Sequence, residues 1–164
     1  MLIGILSDTH DNLAAAAAGM AVLRGAGAEF FIHCGDVGSE QILDLLAGAK
    51  SMFVWGNNDY DRAELARYAA DLEIKCGDNY GEVEIDGKKI VVTHGDEPRM
   101  LARAMAPQAC DYLLMGHTHV PRDERVGGLR IINPGALHRA ARKTVAVLDP
   151  RRDLLRLLTV PEPR

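Results

Sequence analysis

The chain alternates short apolar runs with segments of helical character, and turn residues mark the joins. Met1–Leu6 is a nearly unbroken apolar run, the pattern of a strand buried on both faces of a parallel sheet. Asp11 or Asn12 can cap a helix from Leu13 to Arg24. Its Ala14–Ala18 run combines high helix propensity with small side chains, and Gly25 and Gly27 terminate it. The alternation then repeats: a strand at Glu29–Cys34, a helix at Ser39–Ala47 with Ser39 as its cap, a strand at Lys50–Trp55, and a helix at Asp61–Ala70. Further on, Tyr80–Ile85 alternates apolar and polar residues, Asp86-Gly87 is a two-residue hairpin turn, and Lys88–Thr93 is the return strand. A helix near Pro98–Ala106 starts with proline, where the missing donor costs little. Apolar runs at Tyr112–Met115, Leu129–Ile132, Thr144–Leu148 and Leu154–Thr159 complete the set. Parallel βαβ winding in the first half and a mostly antiparallel second half predict an α/β (α+β) fold. Two mixed sheets packed face to face with helices outside would accommodate both halves.

Length and composition narrow the class. The 164 residues are one ordinary domain's worth, and no repeat or Ser/Pro-rich linker divides them, so residues 1–164 are expected to form a single domain. Apolar residues at 48% and charged residues at 26% exclude a disordered chain, and no apolar run nears the roughly 20 residues that span a bilayer. The opening apolar run is too short for a signal peptide, and Cys34, Cys76 and Cys110 form neither a disulfide framework nor a CxxC. A reducing cytoplasm and no membrane partner are the expectation. The net charge of −4 argues against a general nucleic-acid binder, although residues 139–164 carry seven basic against three acidic side chains. These charges read first as the wet face of a terminal hairpin. An RNA-processing role for them predicts that removing residues 150–164 weakens RNA binding. An exposed sheet edge leaves a homo-oligomer open.

Side chains that bind metals gather where the strands end. Asp8-Thr9-His10 follows the first strand, Gly35-Asp36 the second, and Gly56-Asn57-Asn58-Asp59 the third. Thr93-His94-Gly95 ends the hairpin's return strand, and Gly116-His117-Thr118-His119 follows Tyr112–Met115. Ligands of α/β sheets bind beyond the carboxyl ends of strands, so these turns can converge, with glycines allowing sharp turns and close approach. Asp8, His10, Asp36, Asn57, His94, His117 and His119 mix hard oxygens with imidazoles and include no thiolate. That set suits two divalent metal ions, Mn²⁺ first among Ni²⁺, Fe²⁺, Co²⁺, Zn²⁺ and Mg²⁺, rather than one tetrahedral zinc. Two ions about 3.5–4 Å apart clamp the attacking and leaving oxygens of a displacement at phosphorus.

These five ordered blocks resemble those of the calcineurin-like metallophosphoesterases, and Asn133-Pro134-Gly135 is similar to their small prokaryotic (YfcE-type) phosphodiesterase branch. The resemblance covers Met1 to about Leu148. It implies a four-layer αββα sandwich and a metal-dependent phosphodiesterase acting on a small phosphodiester. By it, Asp8, His10 and His119 serve one ion, Asn57, His94 and His117 the other, and Asp36 bridges them. A water or hydroxide between the ions would be the nucleophile for in-line attack. The small subunit of the retromer coat resembles the same fold and is a protein-interaction scaffold, which is the alternative of a different class.

Two positions depart from the family pattern. A histidine commonly follows the third-block asparagine; here it is Asn58, which donates hydrogen bonds but supplies no proton near neutral pH. The expectation is a preference for acidic leaving groups, with Asn58 contacting the phosphoryl group and Asp59 supporting it or capping the next helix. Ala136 replaces the serine usual after Asn-Pro-Gly, a minor change while the turn survives. His33 reads as structural and Trp55 as core or pocket wall. The three cysteines read as small buried hydrophobes. Arg99, Arg122 and Arg139 are each able to neutralise phosphate, and the sequence does not choose among them.

Overall fold

A computed structural model describes residues 1–162. One sheet comprises β1 (Ile3–Leu6), β2 (Phe30–His33), β3 (Lys50–Phe53), β4 (Lys75–Cys76), β10 (Thr144–Asp149) and β11 (Leu154–Thr159), in the order β11-β10-β1-β2-β3-β4. The other comprises β5 (Gly81–Ile85), β6 (Lys88–Val92), β7 (Tyr112–Leu114), β8 (Arg122–Val126) and β9 (Leu129–Asn133), in the order β5-β6-β7-β9-β8. Helices α1 (Leu13–Gly25), α2 (Glu40–Asp44), α3 (Arg62–Asp71) and α4 (Pro98–Ala104) complete the set.

The two-residue period of the strands sorts the side chains into layers. Ile3, Ile5, Ile32 and Met52 of the first sheet meet Ile90, Val92, Tyr112, Leu114 and Ile132 of the second, all buried. The intervening Phe31, Phe53, Val145 and Val147 turn the other way and pack beneath α1, α2 and α3. On the far face of the second sheet Val91, Leu113 and Ile131 pack against Ala104 and Leu101 of α4. The result is the expected four-layer αββα arrangement, which buries an apolar face of each sheet twice. The alanine-rich α1 lies close to β10, where even a methyl on Gly19 would come within 3.2 Å of Val145. No helix among the described residues is long and apolar enough to cross a membrane.

Asn12 is the α1 cap, its side-chain oxygen accepting from the Ala15 amide at 3.2 Å. Ser39 occupies the N-cap position of α2 but does not cap it, because its hydroxyl donates to the Asp11 carboxylate instead. α2 ends at Asp44 and α4 at Ala104, shorter than the pattern predicts. Two strands escaped the sequence reading. β8 is exposed along its whole length and carries Arg122-Asp123-Glu124-Arg125, so no apolar alternation marks it. It is held by its ladder to β9 and by the Arg130–Asp123 ion pair at 2.8 Å. β4 is two residues long. The hairpins are antiparallel, but β6–β7 and β7–β9 are parallel, so the centre of the second sheet departs from the antiparallel expectation. Cys34 is buried, whereas Cys76 and Cys110 are only half-buried and all three are free thiols.

Candidate metal centre

That parallel centre brings the five blocks together. β1, β2 and β3 run parallel in one sheet, β6 and β7 in the other, and the loops leaving all five meet at one edge. Asp8 and His10 leave β1, Asp36 leaves β2, Asn57 leaves β3, His94 leaves β6, and His117 and His119 leave β7. Asp8, His10, Asp36, His117 and His119 all have positive φ, between 42° and 67°. The left-handed region costs a non-glycine residue about 1 kcal/mol or more, so surrounding structure must impose it.

Ligand atoms of Asp8, His10 and His119 lie within 4.8 Å of one another, and so do those of Asp8, Asp36 and His94. Asp36 Oδ2 is 3.3 Å from both His10 Nε2 and His94 Nε2, midway between the two groups. Asp8 Oδ1 is 3.2 Å from His119 Nε2 and 3.9 Å from His10 Nε2 and His94 Nε2. Asn57 Oδ1 lies 3.2 Å from His94 Nε2 and 3.1 Å from His117 Nδ1. All seven sequence-predicted ligands therefore converge. Asp8 Oδ1 and His10 Nε2 are buried without a hydrogen-bond partner, a costly arrangement unless a cation satisfies them. The donor set and its orphaned atoms fit divalent cations.

The surrounding residues hold these side chains in place. Asp8 Oδ2 accepts from Ser7 Oγ at 2.6 Å and from the His117 amide at 3.1 Å, leaving Oδ1 free to face the imidazoles. His94 Nδ1 donates to the Cys34 carbonyl at 2.8 Å, which directs Nε2 inward. Asn133 Nδ2 donates to the Gly116 carbonyl and Thr118 Oγ1, tying the Asn-Pro-Gly turn to the loop that carries His117 and His119. Gly56 lies so close that a Cβ there would sit 2.2 Å from Asp36 Oδ1.

His33 is structural, as expected. The Gly35 amide donates to Nδ1, Nε2 faces Thr9 Oγ1 at 2.9 Å, and Thr9 in turn donates to the Val37 carbonyl. Burial, helped by the nearby His94, lowers its pKa to about 3, so it stays neutral. Burial alone would raise Asp36 and lower His94. Hydrogen bonds from His94 and Asn58 outweigh it for Asp36 and hold that carboxyl well below the usual range. The Asp36 hydrogen bond and the Asp8 charge outweigh it for His94, which rises to about 9.

Asn58 donates to Asp36 twice, from its backbone amide at 2.8 Å and from Nδ2 at 2.9 Å. Asp59 does not face the cleft: its carboxylate is buried beneath the loop and accepts from the Gly56 and Gly38 amides at 2.8 and 3.0 Å. It supports the loop carrying Asn57 and Asn58, and the N-cap position of α3 is held by Asp61, whose side chain makes no capping hydrogen bond. The centre opens onto a cleft of about 340 Å³, whose walls add Asn58, His138 and Arg139 to five of the seven expected ligands. Of the three arginines, Arg139 is the one in this cleft. Arg122 pairs with Glu124, and Arg99 stands on α4. Trp55 is buried and forms a wall of a separate cavity of about 530 Å³ behind α3.

The calcineurin-like phosphoesterase superfamily domain matches residues 1–153. A phosphodiesterase of Methanocaldococcus jannaschii is 32% identical over 154 residues, covering 91% of this chain and 93% of its own. An archaeal phosphodiesterase structure superposes with a TM-score of 0.88 at 32% identity, covering 97% of this chain and 99% of that one. Two further structures share the fold, each with a TM-score of 0.70. The YfcE phosphoesterase of E. coli, at 19% identity, covers 98% of this chain and 100% of its own; zinc-complexed Vps29 of Entamoeba histolytica, at 17% identity, covers 100% and 95%. The centre and the fold define a metal-dependent phosphoester hydrolase. The chain belongs to the calcineurin-like phosphoesterase superfamily.

Proposed function

We propose that residues 1–164 form one cytoplasmic phosphodiesterase domain that hydrolyses a small phosphodiester with two divalent cations, Mn²⁺ foremost. The observation that carries this reading is the Asp36 carboxylate oxygen midway between His10 and His94, beside the unpartnered Asp8 Oδ1. Similarity to the M. jannaschii phosphodiesterase supports the substrate class. Asp8, His10 and His119 would hold one cation and Asn57, His94 and His117 the other, with Asp36 shared between them. When bound, the cations would neutralise phosphoryl charge and make water nucleophilic near neutral pH. The protein's own part is to keep Nε2 of His94 facing inward and to leave Asp8 Oδ1 and His10 Nε2 free of competing hydrogen bonds.

Asn58 has one Nδ2 hydrogen committed to Asp36 and one left for a phosphoryl oxygen, and no proton to give the leaving group. Bis-p-nitrophenyl phosphate, with its acidic leaving group, is therefore the proper assay. Metal-stripped protein should be inactive on it and should regain turnover as Mn²⁺, Ni²⁺, Mg²⁺ or Zn²⁺ is restored singly. Folded protein inactive with every metal would instead favour a scaffold on this fold. Asn58→His is expected to speed hydrolysis of a diester with an alkyl leaving group by about 10–100-fold, part of the general-acid contribution. A slower variant would count against this view of Asn58.

A further inference from the structure

We infer that Arg62, Asn79 and Glu97 form a hydrogen-bonded relay that sets the spacing of Asn57 and His94, two ligands of one cation that come from different sheets. The inference rests on the two-cation reading and names what tunes one of its halves. None of the three residues lines the cleft of the metal centre. They are positioning residues, which act through the loops that carry the ligands.

The need for such a link follows from the topology. Asn57 leaves β3 in the first sheet, and His94 leaves β6 in the second. The two sheets meet through an apolar interior. Apolar contact is non-directional, so it holds the sheets together without fixing the loops at their ends. His94 has its own anchor in the Cys34 carbonyl at 2.8 Å. The relay anchors the Asn57 loop.

Arg62 at the start of α3 is its first member. Nε donates to the Asp59 carbonyl and Nη2 to the Gly56 carbonyl, both at 2.9 Å. The Asp59 carboxylate holds the Gly56 amide, so both backbone polar groups of Gly56 are pinned by side chains. Nη1 of Arg62 then donates to Asn79 Oδ1 at 2.9 Å, and Asn79 Nδ2 donates to Glu97 Oε1 at 2.6 Å. A guanidinium only donates and a carboxylate only accepts. A side-chain amide does both, which is why asparagine can join the two ends.

Both ends of the relay are fixed to the backbone. The turn that carries Asn79 is tied to the end of β3, with the Gly77 amide donating to the Phe53 carbonyl at 2.9 Å and the Trp55 amide to the Asp78 carbonyl at 2.8 Å. Glu97 lies three residues past His94, at the N-cap position of α4. Its side chain makes no capping hydrogen bond, because it is turned toward Asn79. Arg62 and Asn79 line the cavity behind α3, and all three side chains belong to half-buried residues. The chain of bonds thus runs from the loop carrying Asn57 to the loop that follows His94, whose Nε2 lies 3.2 Å from Asn57 Oδ1.

The test is Mn²⁺ calorimetry on metal-stripped protein, in which the parent should show two binding events. Asn79→Leu keeps the size of the side chain and removes both of its hydrogen bonds. It should weaken one event by about tenfold or more, the scale of a lost partner behind a metal ligand, and leave the other within about threefold. Asn79→Asp still accepts from Arg62 but sets a carboxylate against Glu97, and should weaken the same event. Adding Glu97→Gln returns a donor to that link and should bring the affinity back to within about threefold of the parent. Glu97→Gln alone keeps an oxygen that accepts from Asn79, and should also stay within about threefold. Rescue by the paired substitution separates positioning from a general loss of structure, and thermal melts check the folding of each variant. Equal weakening of both events, no weakening of either, or Asn79→Asp/Glu97→Gln binding no tighter than Asn79→Asp would overturn the inference alone. A parent that binds fewer than two ions overturns the two-cation reading, and the inference with it.

Discussion

Replacing Asp36 with asparagine is expected to lower hydrolysis of bis-p-nitrophenyl phosphate by about 10³-fold or more, the equivalent of several kcal/mol of lost charge stabilisation. Asp36 Oδ2 stands 3.3 Å from His10 Nε2 and from His94 Nε2, so one oxygen serves both halves of the centre. An amide keeps the shape but removes the negative charge, and its NH₂ group would oppose the Asn58 donors that now point at the carboxylate. The fold should survive, because the side chain is buried at the cleft floor rather than in either apolar layer. Circular dichroism would confirm folding, and metal analysis after desalting would separate lost loading from lost chemistry. Activity within tenfold of the parent would show that Asp36 is not shared between the two halves.

Metal loading should weaken about tenfold for each pH unit below about 9, and so about 100-fold between pH 9 and pH 7. In the metal-free protein the His94 imidazole keeps its proton up to about 9. Burial opposes the charge, but the hydrogen bond to Asp36 and the nearby Asp8 favour it more strongly. A cation binding at Nε2 must displace that proton. Asp36, held far below the usual carboxylate range, is ionised throughout and adds no slope. Stability of the metal-free protein should run the opposite way. The folded value of about 9 exceeds the ordinary 6.5, so the contribution of His94 is complete below about 6.5 and disappears as pH rises through about 9. Chelator-competition isotherms at pH 7, 8 and 9, with thermal melts of both forms, test both directions. Affinity that is flat over this range would mean that His94 carries no proton in the free protein.

Much of this was legible along the chain because it is local. The Asp86-Gly87 turn and the strands it joins, the Asn12 cap, and the βαβ winding of the first half follow from period, capping chemistry and backbone preference within a few residues. The seven ligand types were also readable, since each block pairs metal-binding side chains with a strand end. β8 was not readable: its polar residues gain strand structure only by pairing with β9. For Asp59 the sequence left support of Asn58 and capping of the next helix open; the Gly38 and Gly56 amides, which occupy both its oxygens, decide for support of the loop.

Residue chemistry and local periodicity thus determine which groups are present and at which strand ends they stand. Their convergence is another matter. Asp8 receives the amide of His117 from 109 positions away, and Asn57 stands beside a ring nitrogen of His117 from 60 positions away. These contacts depend on β6 and β7 running parallel, which no local pattern encodes, and on two sheets sharing one apolar interior. The choice of Arg139 over Arg99 and Arg122 is decided in the same way, by Ala136 and Leu137 being buried next to the loop that follows β1. Local sequence sets conformational preferences worth about 1 kcal/mol per residue, whereas long-range register is set by burying an entire apolar face, and only the latter brings distant side chains together.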